Sequence, residues 1–454
     1  MSLVFYAWGE PVYVLVMLGS IVLNYTAGLL IHIQRRQAKK KRTFFTEKTI
    51  VVLCITANLG LLIYFKYTNF IIQNVNAIFQ DSALAPIVYP HVILPIGISF
   101  FTFQAMSYVI DVYRKETDVQ LNIANLALYV TMFPQLIAGP IVRYHDVAKQ
   151  IATRIITREQ FSSGVQRFIF GLSKKIILAN PLGEIADKVF AVPVHDLPTS
   201  LAWLGITCFT LQIYFDFSGY SDMAIGLGRL FGFEFLENFN FPYIAQSIRE
   251  FWRRWHISLS TWFRDYLYIP LGGSHGSSLK TYLNLWVVFC LCGLWHGASW
   301  NFLIWGAFHG MCLIVERLRW VHVGLARMWK PIRHVYVMLV VIVGWVFFRA
   351  ESLIQAVQYV ASMIGLTRAD GVKYYASFYL DPKTIFTLLA ACILATPISG
   401  MIFKRLQIAI NASRSETMAI VSHAGYYCML VILFCLSAAY LAAGTYNPFI
   451  YYRF

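Results

Sequence analysis

The sequence predicts an all-α integral membrane protein in which about ten or eleven helices span or re-enter the bilayer. Of its 454 residues, 58% are hydrophobic and only 13% are charged, whereas a soluble domain has roughly 25% charged residues. Long apolar runs recur along the chain, and short polar connectors separate them. The net charge of +15 could indicate nucleic acid, but the basic residues lie between the apolar runs. We therefore expect them to set membrane topology, with no nucleic-acid partner.

The apolar runs predict the spans in chain order. They cover residues 11–33, 50–67, 92–110, 124–142, 161–179, 201–217, 283–295, 300–315, 335–348, 385–403 and 420–443. Several are short or interrupted by glycine and proline, so we expect some to be tilted, re-entrant or packed inside the bundle. The whole chain, 1–454, is expected to form a single multi-pass domain.

The charge of each connector predicts the side of the membrane on which it lies. Residues 34–42 carry six Lys or Arg and residues 317–334 carry five, with no acid in either stretch, so both are expected in the cytoplasm. The acidic connector 180–198 is expected outside, and the basic stretch 229–280 inside. Both termini then lie outside. The first apolar segment is long and its basic cluster follows it, so it is expected to remain as an anchor.

The segment 124–142 breaks this alternation because both of its flanks are basic. Its sequence FPQLIAGPI, residues 133–141, contains Pro134, Gly139 and Pro140. Proline removes a backbone donor and disrupts the helical hydrogen-bond ladder. We therefore predict a re-entrant or broken helix here.

Residues 218–280 have the densest polar content and are predicted to form an interfacial, cytoplasmic and re-entrant segment. Asp216 and Asp222 flank a predicted Ser-Gly-Tyr-Ser turn that begins at Ser218. The glycines of GLGRLFG, residues 226–232, could suggest phosphate binding, but no strand precedes them, and helix packing is the favoured interpretation.

An amphipathic helix is predicted over residues 248–268. Trp252, Trp255 and His256 share its apolar face, while Arg253 and Arg254 lie on the polar face. The arginines have two interpretations. They could anchor the helix to anionic headgroups, or they could bind a substrate.

Three histidines are the candidate reactive groups. His256 lies on the apolar face described above, His296 lies in a charge-free, glycine-flanked span, and His309 lies on the next span. Taken singly, each is more typical of a hydrogen-bonded core residue. Because charged groups inside a membrane are costly, two intramembrane histidines together indicate a reaction site. The eight cysteines lack disulfide or zinc-ligand spacing, and no metal site is expected.

Two motifs carry a resemblance to a known family. They are FWRRWHISLSTWFRDYLYIPLGG, residues 251–273, and GLWHGASWNFLIWGAFHG, residues 293–310, and their histidines lie 40 residues apart. With LPIGISFFTFQAMSYVIDVYR, residues 94–114, FPQLIAGPIVRY and FDFSGYSDMAIGLGRLFGF, they resemble the membrane-bound O-acyltransferase superfamily. Within it, the sequence is most similar to the bacterial branch of alginate O-acetyltransferase membrane subunits.

The resemblance implies tilted helices around a thinned centre, with a tunnel that joins a cytoplasmic donor side to an outer acceptor side. It implies catalysis at His296, with His256 at a second family position that is asparagine in many eukaryotic members. An imidazole can take the proton of an attacking hydroxyl, so His296 is the expected general base. His256 is expected to polarise the thioester carbonyl or to orient the donor. Candidate donor-binding residues are Trp252, Arg253, Arg254 and Trp255, and candidate supporting polar residues are Asp216, Ser218, Asp222 and His309.

The expected reaction is acetyl transfer from a cytoplasmic thioester, with acetyl-CoA as the expected donor, for O-acetylation of an extracellular polysaccharide such as alginate. No bound cofactor is expected. The resemblance implies a bacterial inner-membrane location and an SGNH-type, esterase-like extracytoplasmic partner, because the sequence contains no serine-esterase nucleophile elbow. One alternative is the D-alanyl transfer subunit for teichoic acid, and a more remote one is a transporter or flippase, which would need internal repeats that the sequence does not show. A purely structural scaffold would not need two buried histidines.

Overall fold

The computed structural model describes residues 1–37, 46–80, 85–367, 374–398, 400–402, 405, 408, 416–444 and 446–448. Within these residues the regular structure is entirely helical, which confirms the predicted fold class. Residues 38–42 of the predicted basic connector 34–42 lie outside the described residues. The chain forms two compact units, and the expectation of one multi-pass domain stays a prediction.

The first unit comprises residues 1–164, 227–236 and 297–299. Its helices are α1 (Ser2–Gly9), α2 (Val14–Gln37), α3 (Glu47–Ile78), α4 (Ile98–Arg114), α5 (Ile123–Thr131), α6 (Phe133–Leu136) and α7 (Tyr144–Ala152). The long helices α2 and α3 are joined by a reciprocal pair of buried amide hydrogen bonds, both 3.1 Å long, between Asn24 and Asn58. Since each amide satisfies the other inside an apolar helix pair, this contact fixes the register of α2 against α3.

A helix break lies where the sequence predicts one. Helix α5 ends at Thr131, α6 contains only Phe133–Leu136, and residues 137–143 have no helix.

Beyond the break, α7 carries His145, whose Nδ1 lies 2.8 Å from Asp111 on α4 and whose Nε2 lies 3.2 Å from Asp146. Hydrogen bonds to Asp111 and then Asp146 raise the pKa of His145 to about 10. An ion pair therefore ties α7 to α4.

The second unit comprises residues 165–226, 237–296 and 300–454. Its helices are α9 (Asn180–Phe190), α11 (Ile248–Arg254), α12 (Ile257–Phe263), α13 (Ser278–His296), α14 (Trp300–Arg317), α15 (Arg319–Arg327), α16 (Lys330–Arg349), α17 (Leu353–Met363), α18 (Pro382–Leu394) and α19 (Glu416–Ala442). Helices α8 (Arg158–Ser173) and α10 (Thr199–Leu230) have residues in both units. Two π-helical turns, Lys174–Ala179 and Arg264–Tyr268, follow α8 and α12.

Five helices are long and apolar enough to cross a membrane, as judged over the described part of the chain. They are α2, α3, α13, α16 and residues 417–442 of α19. The chain is thus a multi-pass membrane protein, as predicted. The other predicted spans correspond to helices that are shorter, more polar or interrupted, such as α5 and α6.

Two sequence-based expectations about residues 218–280 are wrong. The segment 216–222 is not a turn, because α10 continues without interruption to Leu230. Gly219 instead brings α10 close to α8, since a Cβ at this position would lie 2.7 Å from the carbonyl oxygen of Gly171. The helix predicted over residues 248–268 is broken between α11 and α12, at Trp255 and His256.

Helices α13 and α14 form a close antiparallel hairpin. A Cβ on Gly293 would lie 2.1 Å from the carbonyl oxygen of Phe302, and one on Gly306 would lie 2.2 Å from that of Phe289. No side chain fits at such distances, so both glycines are required for the two backbones to approach. The span that ends at His296 therefore packs backbone to backbone against α14.

Candidate active site

His256 occupies the break between α11 and α12 in a left-handed backbone conformation, with φ 44° and ψ 55°. Such a conformation is uncommon for any residue other than glycine and costs free energy. The break turns the imidazole inward, and the residue is only 1% exposed. The left-handed backbone at the helix break therefore orients the His256 side chain into the protein.

The structure brings His256 and His296 together. His296 ends α13 and is 7% exposed, and the centroids of the two imidazole rings are 6.5 Å apart. Aromatic rings surround the pair. Phe217 packs edge-on against His256 at 4.6 Å, while Trp305 and Phe348 pack against His296 at 5.2 and 5.3 Å. Burial lowers the pKa of His256 well below its usual value, so the neutral form of that ring is favoured.

Asn238 holds one side of His256. Its Oδ1 lies 3.1 Å from His256 Nδ1 and accepts hydrogen bonds from the backbone N–H and the hydroxyl of Ser258, at 3.1 and 2.9 Å. Its own backbone oxygen accepts from the N–H of Ile257 at 2.9 Å. Asn238 is fully buried. One residue therefore connects the loop before α11 to the first turn of α12, on both sides of the helix break.

His309 lies beside this pair but is enclosed differently. It is fully buried on α14, with Trp252 and Trp305 each 5.1 Å away between ring centroids. A Cβ on Gly344 would lie 2.5 Å from its Nε2, so the glycine makes room for the ring. Trp305 contacts both His296 and His309, and it was not singled out in the sequence.

A cavity of about 700 Å³ lies within the second unit, and its wall includes Trp252 and Leu259 from the two helices on either side of His256. Neither His256 nor His296 lines it directly. Helix α13 contributes Leu285, Val288, Phe289 and Cys292 to its wall. These positions share one helical face, and His296 continues that face one turn beyond Cys292. The cavity wall therefore leads along α13 towards His296.

The polar part of the cavity is strongly basic. Its arginine, histidine and acidic side chains are Arg249, Arg253, Arg264, Arg317, His322, Arg333 and a single carboxylate, Glu316. Arg264 is paired with Asp265, and Glu316 accepts hydrogen bonds from the backbone N–H groups of Ile248 and Arg249. Arg249 and Arg253 have no acidic partner within the described ranges. An apolar wall with unpaired guanidinium groups suits a ligand that has a lipophilic or neutral part and an anionic part.

Of the four predicted donor-binding residues, two line the cavity and two do not. Trp252 and Arg253 line the cavity. Arg254 instead pairs with Glu250 at 2.9 Å and donates to the backbone oxygen of Asn240. Trp255 is buried among aromatic rings, including Trp345 at 4.8 Å. Arg254 and Trp255 thus stabilise the segment around the break without lining the cavity.

The predicted supporting carboxylates belong to buried ion pairs. Asp216 lies 2.7 Å from Lys175, and Asp222 lies 2.6 Å from both Arg167 and Lys174. Ser218 lies between them on α10 and is 2% exposed. These residues join α10 to α8 and to the π-helical turn after it, and none of them lines the basic cavity.

Sequence reasoning missed Asn238 and the cavity arginines 249, 317 and 333. A signal existed for Asn238, because it is an amide at the start of the aromatic-rich run NFNFPY, residues 238–243, and a buried amide needs partners. The arginines were visible only as parts of basic connectors. Their convergence depends on how α11, α14, α15 and α16 pack, which no local pattern encodes.

A helical multi-pass protein with a buried histidine pair beside a basic, partly apolar cavity is of the class of membrane-embedded transferases. The sequence model of the MBOAT, membrane-bound O-acyltransferase family matches residues 42–354, and the chain belongs to this family. It is 41% identical to a probable alginate O-acetylase AlgI of Azotobacter vinelandii over 477 aligned positions, which cover 100% of this chain and 93% of that protein.

Two further relatives have different names. A peptidoglycan O-acetyltransferase of Helicobacter pylori is 37% identical over 80% of this chain and 72% of its own length. A teichoic acid D-alanyltransferase of Bacillus subtilis is 27% identical over 49% of this chain and 59% of its own length. The predictions of the family and of an acyltransferase are confirmed.

Proposed function

We propose that this chain moves an acetyl group from a cytoplasmic thioester donor across the membrane, for O-acetylation of an extracellular polysaccharide such as alginate. The observation that carries the proposal is the buried pair of His256 and His296, of which His296 lies one turn of α13 beyond the wall of a basic cavity. The named activity of the relative from Azotobacter vinelandii, which aligns with the whole chain, supports the choice of acetyl group and polysaccharide.

His296 serves as the general base in this proposal. An acceptor hydroxyl gives its proton to the imidazole while its oxygen attacks the thioester carbonyl carbon. The tetrahedral intermediate then expels the thiolate, so a carbon–oxygen bond forms and the carbon–sulfur bond breaks. The protonated imidazole returns the proton to the sulfur. The aromatic wall around His296 excludes water, which protects the thioester from hydrolysis.

The donor is proposed to enter the basic cavity. Acetyl-CoA combines a neutral pantetheine arm with phosphates, and this division matches the apolar wall of α13 and the unpaired Arg249 and Arg253. Helix α15 and the start of α16 also line the cavity, and both lie in the connector predicted to be cytoplasmic. The arginines and the predicted topology thus agree on the side from which the donor arrives.

D-alanyl transfer to teichoic acid is the second candidate function. The match to a protein with that name supports it, although the match covers about half of this chain. In that case a carrier protein would supply the thioester, and the cavity would receive only its prosthetic arm. The full-length similarity to an alginate O-acetylase favours acetyl transfer.

We further propose a location in the bacterial inner membrane and an SGNH-type extracytoplasmic partner that receives the acetyl group. The test uses inverted membrane vesicles that contain the chain, with radiolabelled acetyl-CoA added outside and a candidate partner enclosed. Label should reach the partner or the polysaccharide only when this chain is present. Transfer of D-alanine from a carrier protein, with no acetyl transfer, would overturn the proposal in favour of the second candidate.

A further inference from the structure

Asn238 determines which nitrogen of His256 can face a substrate. Its Oδ1 lies 3.1 Å from the backbone N–H of Ser258, which can only donate. Turning the amide over would place its NH2 group against that N–H, so the assignment of the oxygen is fixed by the backbone. His256 Nδ1 lies 3.1 Å from the same oxygen. An oxygen cannot donate, so Nδ1 must carry the hydrogen.

The other ring nitrogen follows from this assignment. A neutral imidazole carries one hydrogen, so Nε2 of His256 has a lone pair and no hydrogen. Nε2 is buried and has no hydrogen-bond partner among the described residues. The neutral ring can thus accept a hydrogen bond or a proton through Nε2, but it cannot donate one to a thioester carbonyl.

We infer that Asn238 is a positioning residue that holds His256 in the Nδ1–H tautomer, so that Nε2 accepts a hydrogen bond from an N–H or O–H group of the bound substrates. This inference rests on the proposed function. It removes carbonyl polarisation from the two roles expected for His256 and keeps the orienting role. The amide N–H groups of a pantetheine arm have the required chemistry, whereas the single hydrogen of the attacking hydroxyl goes to His296 in the proposed reaction.

The local structure supports a dedicated role for Asn238. The side chain holds His256 and Ser258, and the backbone oxygen holds Ile257, so three consecutive residues depend on Asn238. The left-handed backbone at His256 costs free energy, and these bonds offset part of that cost. Both the tautomer and the direction of the ring are therefore set by one buried amide.

Three variants test the inference in membranes by acetyl-transfer kinetics. Asn238→Ala removes the acceptor, and kcat/KM for the donor should fall by about ten- to a hundredfold, because losing the group that orients a substrate costs on this scale. Ser258→Ala is the matched control. It removes the 2.9 Å bond to the same Oδ1 but leaves the bond to His256, so kcat/KM should stay within about threefold.

Asn238→Asp tests the role of Asn238 through the pH–rate profile, which would not shift if Asn238 had only a structural role. The carboxylate keeps an acceptor oxygen and stabilises the imidazolium, so the acidic limb of the pH–rate profile should move to higher pH. His296 is the titratable ring that packs against His256, while Phe217 and Trp295 are its uncharged ring neighbours. If His256 donated a hydrogen bond as an imidazolium, the alkaline limb would move instead, and the inference would be overturned.

His256→Gln separates this inference from the proposed function. If His256→Gln keeps normal acetyl transfer, the proposed use of His256 in the reaction is wrong. If His256→Gln is inactive while Asn238→Ala keeps a normal kcat/KM, or while Asn238→Asp leaves both limbs unmoved, the function stands and the role of Asn238 fails. Elution as a monodisperse species after detergent extraction identifies variants that fold.

Discussion

Cys292 lies on the wall of the basic cavity, and His296 follows it by one turn on the same face of α13. A ligand that packs along this face would therefore extend from the arginines towards the histidine pair. The cavity of about 700 Å³ is within the range of small-molecule sites. The relationship links donor binding and chemistry through one helix, and it determines which substitutions should alter binding and which should alter turnover.

His296→Gln is expected to lower acetyl transfer by more than about a hundredfold, because an amide keeps polarity but cannot act as a base at neutral pH. Radiolabelled acetyl transfer in membranes measures the effect. His195→Gln is the control, since that histidine side chain is 80% exposed and distant in sequence from the motifs. Normal transfer by His296→Gln together with loss in His256→Gln would reverse the two roles.

Arg253→Gln is expected to raise the apparent KM for the donor by about tenfold, because a charge-assisted hydrogen bond is worth about 1.5–3 kcal/mol. Its neighbour supplies the control. Arg254 is paired with Glu250 and does not line the cavity, so Arg254→Gln should leave KM within about twofold. Equal and small effects of both changes would assign the arginines to headgroup anchoring.

Gly306→Ala is expected to destabilise the protein by about 1–3 kcal/mol, the usual cost of overpacking, because the new methyl would collide with the Phe289 carbonyl. Thermal unfolding of the detergent-extracted protein measures this loss. Gly425→Ala is the matched change, since a Cβ at that position meets nothing within 4 Å. An unchanged melting temperature for Gly306→Ala would mean that the hairpin of α13 and α14 is looser than described.

The ion pair of His145 predicts a pH-dependent stability. The pKa of His145 is raised from 6.5 to about 10, so its stabilising effect is complete below about pH 6.5 and is lost as pH rises through 10. Asp111→Asn removes the first cause of the rise and should lower the melting temperature at pH 6.5. The difference from the unsubstituted protein should shrink near pH 10.5. Asp118→Asn, at an exposed carboxylate, should show no such convergence.

Impermeant thiol reagents test the topology. A cysteine introduced at Gln37, at the exposed end of α2, should label only in broken cells, whereas one at the exposed His195 should label in intact cells. Labelling is compared with the parent protein to account for its eight cysteines. Labelling of the Gln37 variant from outside would invert the predicted orientation.

Composition and apolar runs were enough to predict the helical membrane fold, because each span must satisfy its own backbone and so leaves a local signal. The break at His256 left no such signal. Apolar and polar residues alternate at helical spacing through residues 248–268, and only the bonds from Asn238 show why the chain turns there.

At residues 216–222 the sequence predicts a turn where the structure has a continuous helix. Glycine and serine between two carboxylates are typical of a turn, yet α10 passes through them because Gly219 is needed for contact with Gly171 on α8. The carboxylates face lysine and arginine side chains far away in sequence. Local patterns could not distinguish a glycine that bends the chain from one that admits a neighbouring helix.

The left-handed backbone at residue 256 restricts which amino acids evolution can place there. Glycine, asparagine, aspartate and histidine tolerate this conformation better than other residues do, and β-branched residues are nearly excluded. Glycine would relieve this strain but would also remove the imidazole, so the histidine places a side chain at this position at the expense of backbone free energy.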